Sequence, residues 1–209
     1  MKKLLFITAL LAFACQTPKQ QVKFAENDIC IIPKPQSMTL NNGNFQFTKE
    51  TVFVSNQSLA PAAEIFAKQF EKASGIKLPI KNETVQTNYI ALSIDNSLPK
   101  EGYNLVVQPD KISIAAADYN GAIYALETLR QLLPKEFESS TPVNANWVIP
   151  TITINDKPEY PWRGLMLDVS RHFFSKEYIL KTLDRMAMLK LNTFHFHLVD
   201  NEGWRIEIK

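Results

Sequence analysis

The chain has 209 residues, of which 45% are apolar, 21% charged and 11% aromatic, a composition typical of a globular protein with a sizeable core. This composition excludes a disordered or collagen-like chain. Its 23 basic and 21 acidic residues give a net charge of +2 and are spread along the chain, which excludes the basic block that nucleic-acid binding would need.

The N-terminus has the pattern of a bacterial export signal over residues 1–14. Two lysines precede an apolar run from Leu4 to Phe13, and Ala12 and Ala14 form the small-x-small site at which such a leader is cleaved. The run is too short to span a bilayer, which takes about 20 residues, so no transmembrane helix is predicted. The protein is expected to be exported, to the periplasm or the cell surface.

Cys15 follows the leader directly, where a lipoprotein signal carries the cysteine that becomes acylated. Residues 15–28 would then be a polar tether, and this lipid would be the only membrane contact. The alternative is ordinary cleavage after Ala14 and release of the protein. The other cysteine, Cys30, lies in an apolar run and is predicted to be a buried core thiol.

Residues 29–155 are predicted to form an α+β domain. Its strand-like segments are short, rich in β-branched or aromatic residues and bounded by Gly, Pro, Asn or Asp. They are residues 45–47, 51–54, 88–94, 103–107, 111–115 and 147–154.

Two amphipathic helices lie among these strands. The first opens at Pro61, carries Ile65 in its apolar stripe and ends at Gly75. The second has Asp118 as its candidate N-cap and is stopped by Pro134. Because each helix has one apolar face, both are expected to cover the same face of an antiparallel sheet.

Residues 156–209 have the pattern of the start of a parallel barrel. Residues 163–169 and 193–199 are apolar on both faces, and Ser175 caps a helix between them. Strand, helix and strand form one βαβ unit, the repeating element of such a barrel. A complete (β/α)8 barrel needs about 250 residues, so the sequence predicts only the first unit of a truncated one.

The active site of a (β/α)8 barrel lies at the C-terminal ends of its strands. The residues that leave the two predicted strands are therefore candidates for chemistry: Asp168, Ser170, Arg171, His172, His197, Asp200, Asn201 and Glu202. Arg163, at the start of the first strand, has five fixed N–H donors that suit sugar hydroxyls or a carboxylate. The alternative for Arg163 is a structural salt bridge.

Two pairs of candidates invite a specific chemistry. His195 and His197 are two apart on a strand and could form a metal pair, but a metal site needs three or four ligands and the chain has three histidines in all. Asp200 and Glu202 are too close in sequence to flank a scissile glycosidic bond comfortably. Neither pair by itself establishes a catalytic site.

The segment from Trp162 to Lys209, which contains RGLMLDVSRHFF and FHFHLVDNEGWR, resembles the opening of the catalytic barrel of glycoside hydrolase family 20, the β-N-acetylhexosaminidases. Upstream, IIPKPQSM (31–38), EGYNLVV (101–107) and DYNGAIYALETLRQLLP (118–134) resemble the small α+β accessory domain that precedes this barrel. The resemblance covers nearly everything after the leader.

The resemblance implies hydrolysis of terminal, non-reducing β-linked N-acetylglucosamine or N-acetylgalactosamine, so amino-sugar glycans are the expected partners. It implies a retaining, substrate-assisted route, in which the acetamido oxygen of the substrate attacks the anomeric carbon, an Asp orients that group and the adjacent Glu protonates the leaving oxygen. No metal and no cofactor is expected. In the family the Asp-Glu pair follows the fourth strand, downstream of Lys209, so the chain holds no catalytic residue and is expected to be inactive alone.

Three positions match functional residues of the family. Arg163 corresponds to an arginine that binds hydroxyls of the terminal sugar, Asp200 to the aspartate at the second strand end, and His197 to the histidine before it. The resemblance thus implies Arg163 and Asp200 as substrate-binding residues, with His197 supporting them. Phe196 and Asn201 depart from the family, which commonly has Trp and a second Asp there.

Two other functions stay open from the residues alone. One is a non-catalytic carbohydrate-binding or interaction lipoprotein that uses the α+β domain, and the other is a metal-dependent barrel hydrolase that uses His195 and His197. Two strands cannot close a barrel, so their apolar side chains are expected to be partly exposed. These side chains are Leu165, Leu167, Phe194, Phe196 and Leu198.

Overall fold

A computed structural model describes residues 22–83, 85–201 and 203–207 of the chain. The predicted leader, Cys15 and Glu202 lie outside these residues. The first part of the described chain holds seven strands and two helices, here called the sheet domain. Its strands are β1 (Ser37–Gln46), β2 (Val52–Ser55), β3 (Ile80–Lys81), β4 (Tyr89–Ile94), β5 (Tyr103–Val107), β6 (Lys111–Ala116) and β7 (Val148–Asp156).

The seven strands form one sheet in the order β1-β7-β5-β6-β4-β2-β3. The pairs β1–β7, β7–β5 and β5–β6 are antiparallel, whereas β6–β4, β4–β2 and β2–β3 are parallel. The prediction of an antiparallel sheet is therefore wrong, and the sheet is mixed. The physical reason is the helix after β2, which returns the chain to the end where β2 began, so β3 and β4 run parallel to β2.

The helices of the sheet domain are α1 (Ala60–Ser74) and α2 (Tyr119–Leu132), and they contact each other. α1 ends at Gly75, whose φ of 73° is the left-handed conformation that favours glycine. The N-cap of α2 is Asp118, whose side chain accepts the N–H of Gly121 at 2.8 Å, as the sequence predicts. Ile65, predicted to lie on the buried stripe of α1, is 56% exposed because the sheet meets the neighbouring Phe66 instead.

Aromatic side chains form the centre of the core between the helices and the sheet. Phe70 of α1 lies 4.9 Å from Phe47 and 5.2 Å from Trp147, measured between ring centroids. Residues 136–146 are polar and contain Pro142, which predicts a surface loop. Phe137 of this stretch belongs instead to a 3-10 helix and is buried in this cluster. Cys30 is exposed, so the prediction of a buried thiol is wrong: Ile31 is buried in the core and Ile29 packs against it, whereas Cys30 between them is exposed.

The second part of the chain contains β8 (Gly164–Asp168), α3 (Lys176–Met188) and β9 (Thr193–His197), here called the βαβ unit. β8 and β9 are parallel, with Gly164 opposite Thr193 and Asp168 opposite His197. Ser175 caps α3 by accepting the N–H of Tyr178 at 3.3 Å. A short hairpin of β10 (Val199–Asp200) and β11 (Gly203–Trp204) follows.

Both faces of the β8–β9 pair are incompletely covered. Among the described residues no third strand pairs with β8 or β9. Leu165 is 39% exposed and Phe196 37%, whereas Leu167, Phe194 and Leu198 are half-buried, which agrees with the expected partial exposure. In the described part of the chain, no helix combines the length and the apolar character that crossing a membrane requires.

Candidate functional site

Four polar side chains meet at the C-terminal edge of β8 and β9, and we call them the edge cluster: Asp168, Arg171, His197 and Asp200. Asp168 is the last residue of β8, and its Oδ1 accepts the N–H groups of Ser170 at 3.0 Å and Arg171 at 3.2 Å. These two bonds turn the chain directly after the strand. The turn brings the side chain of Arg171 back over the strand ends.

Arg171 bridges the carboxylates of the two strands. One terminal nitrogen of its guanidinium lies 3.2 Å from Oδ2 of Asp168, and the other donates to Oδ2 of Asp200 at 2.7 Å. His197 Nε2 lies 3.3 Å from the same oxygen of Asp200, without a well-aligned hydrogen bond among the described residues. The side chain of Arg171 is 58% exposed, so a dissolved ligand can reach it.

The hairpin that follows β9 and the adjacent Arg205 hold the turn after β8 through side-chain hydrogen bonds. The hydroxyl of the buried Ser170 donates to the carbonyl of Gly203 at 2.8 Å, and Arg205 donates to the carbonyls of Val169 and Ser170 at 3.1 and 3.2 Å. A side chain at Gly203 would place its Cβ 2.8 Å from the carbonyl oxygen of Ser170. Glycine is therefore required for this close approach.

The two carboxylates of the edge cluster stay ionised at neutral pH. The N–H of Asn201 and then the guanidinium of Arg171 lower the pKa of Asp200. The N–H of Arg171 is the main cause that lowers the pKa of Asp168. A general acid needs a raised pKa, close to the working pH, so these carboxylates are suited to accept hydrogen bonds and to orient a ligand instead.

Arg163 lies at the other end of β8 from the edge cluster, directly before the first residue of the strand. Its guanidinium donates to Oε2 of Glu101 at 3.0 Å, to the hydroxyl of Tyr124 at 2.9 Å and to the carbonyls of Tyr160 and Lys190 at 2.7 and 2.8 Å. The sugar-binding role that the resemblance implies for Arg163 gains no support from this position. Its donors are used within the protein, and it makes the structural salt bridge that was the alternative.

All four residues of the edge cluster are among the candidates that leave the two predicted strands, and the resemblance implies a role for two of them, Asp200 and His197. It implies the arginine role for Arg163 instead of Arg171. Arg171 was among the residues leaving β8, whereas Arg163 enters it. The signal that separates them is strand direction, because parallel strands present their C-terminal ends at one edge. Asp200 and His197 lie at this edge, and their roles toward a substrate stay predictions.

A metal centre gains no support from the described residues. No group of three or more His, Cys, Asp or Glu residues within residues 22–83, 85–201 and 203–207 is arranged to hold a metal ion. The rings of His195 and His197 lie 6.5 Å apart, measured between their centroids, and the side chain of His195 is exposed.

Two family models together match most of the chain after residue 27. Residues 28–157 match the model described as "Glycosyl hydrolase family 20, domain 2", and residues 160–209 match "Glycosyl hydrolase family 20, catalytic domain". The chain belongs to glycosyl hydrolase family 20. The first model covers the sheet domain and the second the βαβ unit with the edge cluster.

Proteins similar to this family 20 chain are named as hexosaminidases. A "Beta-hexosaminidase" of Porphyromonas gingivalis is 41% identical over the whole chain, which spans 28% of that relative. A "Beta-N-acetylhexosaminidase" of Cellulomonas fimi is 30% identical over 87% of the chain, and the match covers 36% of that relative's length. The chain therefore covers about a third of the length of these relatives.

Solved structures of family 20 enzymes contain a region that is similar in fold to this chain. The family 20 β-N-acetylhexosaminidase of Streptomyces coelicolor A3(2) is 33% identical, with a TM-score of 0.77 over 83% of this chain and 35% of that one. The enzyme of Bacteroides fragilis is 32% identical, with a TM-score of 0.75 over 86% of this chain and 35% of its own. A mutant hexosaminidase of Streptomyces plicatus, with a TM-score of 0.78, is described in complex with its product GlcNAc.

Proposed function

We propose that this chain forms the accessory domain and the first βαβ unit of the (β/α)8 barrel of an exported β-N-acetylhexosaminidase. The substrate would be a glycan with a terminal, non-reducing β-linked N-acetylglucosamine or N-acetylgalactosamine. The observation that carries the proposal is the edge cluster, in which the exposed guanidinium of Arg171 is held between Asp168 and Asp200 at the C-terminal strand edge. Family membership supplies the class of substrate.

The chemistry of the edge cluster fits the hydroxyl groups of a sugar ring. Each sugar hydroxyl both donates and accepts a hydrogen bond, and the cluster offers guanidinium donors beside carboxylate acceptors. Because the pKa values of Asp168 and Asp200 are lowered, both would act as acceptors over the whole neutral range. We propose that Arg171 and Asp200 bind and orient the terminal sugar, with His197 supporting Asp200.

The bond-breaking step would follow the retaining, substrate-assisted route of the family. The acetamido oxygen of the substrate attacks the anomeric carbon, the bond to the leaving oxygen breaks, and a proton from the general-acid Glu goes to that oxygen. Water then opens the ring so formed and restores the configuration. The Asp-Glu pair that serves this step is expected downstream of Lys209, so the 209 residues alone are expected not to turn over substrate.

Export and anchoring complete the proposal. Residues 1–14 would be removed as a signal, Cys15 would carry the lipid, and residues 15–28 would tether the accessory domain of residues 29–155 and the barrel residues 156–209. Mass spectrometry of the mature N-terminus tests this part. A diacylglyceryl group on Cys15 is expected, and an unmodified N-terminal cysteine would show release after Ala14.

The hydrolytic proposal is tested on a polypeptide that carries these residues together with the rest of the barrel. We expect it to hydrolyse an aryl N-acetyl-β-glucosaminide and to spare the aryl β-glucoside, which lacks the attacking acetamido group. Arg171→Met should lower kcat/KM by roughly 10- to 100-fold, the effect of losing a charged hydrogen bond of about 1.5–3 kcal/mol. Arg185→Met, at an exposed position of α3, is the matched control. Equal rates on both glycosides would contradict the proposal.

A further inference from the structure

Two cationic residues join the βαβ unit to the sheet domain, and both contacts lie away from the edge cluster. Lys190 stands between α3 and β9 and is 6% exposed. Its Nζ lies 2.8 Å from the hydroxyl of Tyr103 and 2.8 Å from Oδ2 of Asp156. Tyr103 begins β5 and Asp156 ends β7, so the ammonium group is held by two neighbouring strands of the sheet.

The acceptors around Lys190 form a closed hydrogen-bond network. The hydroxyl of Tyr103 also lies 2.6 Å from the hydroxyl of Thr128 on α2 and 3.0 Å from Asp156. The second oxygen of Asp156 accepts the N–H groups of Lys157 at 3.0 Å and Gln36 at 3.3 Å. The position of the ammonium group is thus determined by groups that are themselves held by the sheet and by α2.

Arg163 makes the second contact and is joined to the first. Its Nε donates to the carbonyl of Lys190 at 2.8 Å, and its terminal nitrogen reaches Glu101 and Tyr124 of the sheet domain. Glu101 itself is held by the side chain of Asp118, which accepts the N–H of Glu101 at 3.0 Å. The two cations are therefore coupled through one main-chain carbonyl.

The backbone conformation and the burial of Lys190 are both energetically unfavourable, which argues that this residue serves to fix a geometry. Lys190 has a φ of 58°, a left-handed conformation that an L-residue other than glycine or asparagine rarely adopts. Burial lowers the pKa of Lys190, and the pairing with Asp156 only opposes this effect. A buried ion pair is weak evidence for net stability, since apolar residues of the same size often do as well, but it specifies one geometry.

We propose that Arg163 and Lys190 are positioning residues, a two-point latch through which the sheet domain sets the place of β8 and β9 and thereby of the edge cluster. Arg163 directly precedes β8, and Lys190 lies just before β9. Both strands have five residues and are paired in register, so holding their starts also holds their ends, where Asp168 and His197 stand opposite each other. The importance of this placement for a sugar rests on the proposed function, whereas the latch itself does not.

The test uses the full 209-residue chain and the variant Lys190→Met, which keeps the length of the side chain and removes its charge. Lys181→Met, an exposed lysine of α3, is the matched control. We expect amide hydrogen exchange in Gly164–Asp168 and Thr193–His197 to become at least tenfold faster, with exchange in β4 and β6 unchanged. The ring resonances of His197, which contacts neither latch residue, should also shift. The control should change none of these signals.

A local effect would look different. Faster exchange confined to the residues next to Lys190, with both strands and the ring of His197 unaffected, would overturn the latch. If Lys190→Met accelerates exchange throughout the chain, the milder variant Tyr124→Phe decides, because it removes only one hydrogen bond of Arg163. The latch predicts faster exchange in β8 relative to β4 and β6 in that variant, and equal rates would overturn it.

The latch and the proposed function can fail separately. Hydrogen exchange and ring resonances require no substrate, so an absence of hydrolysis leaves the latch result standing. Conversely, a hydrolytic enzyme whose Lys190→Met variant keeps its strand protection would retain the proposed function and lose the latch.

Discussion

The guanidinium of Arg171 donates a 2.7 Å hydrogen bond to Asp200, a residue 29 positions away in the sequence. Each of the two residues follows a different strand, and the parallel pairing of β8 and β9 brings both to the same edge. The contact therefore depends on strand register, because a slip of one residue would turn every side chain of a strand to its other face.

Removing this guanidinium should raise the pKa of both carboxyl groups in the edge cluster. Arg171 lowers the pKa of Asp200 through its side chain and that of Asp168 through its charge as well as its N–H. We expect Arg171→Met to raise both values toward the ordinary 3.8, and a titration of the carboxyl carbons by NMR measures the change. Unchanged values in Arg171→Met would contradict the contacts described above.

Acid should weaken the structure through the same carboxylates. Their folded-state pKa values lie below 3.8, so the unfolded chain binds more protons in acid than the folded chain does. The stability that they contribute is present above that value and is lost as the pH falls through the folded-state values. We expect urea midpoints of the wild type and of Asp168→Asn to differ at a pH of about 6 and to approach each other as the pH falls below 3.8. A constant difference would show that ionisation of Asp168 is not involved.

The hydroxyl of Tyr103 should matter far more than its position at a strand end suggests. The residue is 1% exposed, and its hydroxyl contacts Thr128, Asp156 and Lys190. Tyr103→Phe keeps the ring and leaves these partners short of one hydrogen bond, which costs about 1–3 kcal/mol of unfolding free energy. Urea denaturation measures the loss. Tyr119→Phe, at a 39% exposed tyrosine, should cost less than about 0.5 kcal/mol.

Gly121→Ala should destabilise the protein although alanine is the better helix former by about 1 kcal/mol. A Cβ at Gly121 would lie 2.5 Å from the carbonyl oxygen of Gly102 and 3.3 Å from the carbonyl carbon of Glu101. Backbone atoms cannot yield as a flexible side chain can. The first turn of α2 would therefore have to shift away from Glu101 and Gly102, which directly precede β5. We expect a lower thermal midpoint by differential scanning calorimetry, whereas Lys68→Ala on the exposed face of α1 should not lower it. A raised midpoint in Gly121→Ala would mean that the turn relaxes freely.

The uncovered apolar surface of the βαβ unit should bind hydrophobic dyes. Leu165, Met166 and Phe173 are 39%, 56% and 71% exposed in the described part of the chain. We expect the 209-residue polypeptide to enhance the fluorescence of an anilinonaphthalene dye, and Met166→Ser should reduce this signal. Ile65→Ser, at a 56% exposed isoleucine on α1, should leave it nearly unchanged. Equal losses of dye fluorescence in both variants would show that the dye does not bind specifically to the βαβ unit.

Local sequence patterns predicted most elements because their signals lie within a few residues. Asp118 and Ser175 cap helices by accepting N–H groups three residues ahead, and Gly75 ends a helix through its own φ. The failures involve long-range contacts. The buried position of Phe137 depends on Phe66, and the exposure of Cys30 depends on the packing of Ile29 and Ile31 against the core.

By itself, the amino-acid sequence determined the family, the order of the elements and the strand ends that could carry chemistry, since motifs, caps and hydrophobic periods are properties of neighbouring residues. Only the tertiary structure decided that the sheet is mixed and that Arg171, rather than Arg163, belongs to the edge cluster. The direction of a strand relative to its partners, and hence the edge at which an arginine lies, follows from pairing between residues far apart in the chain.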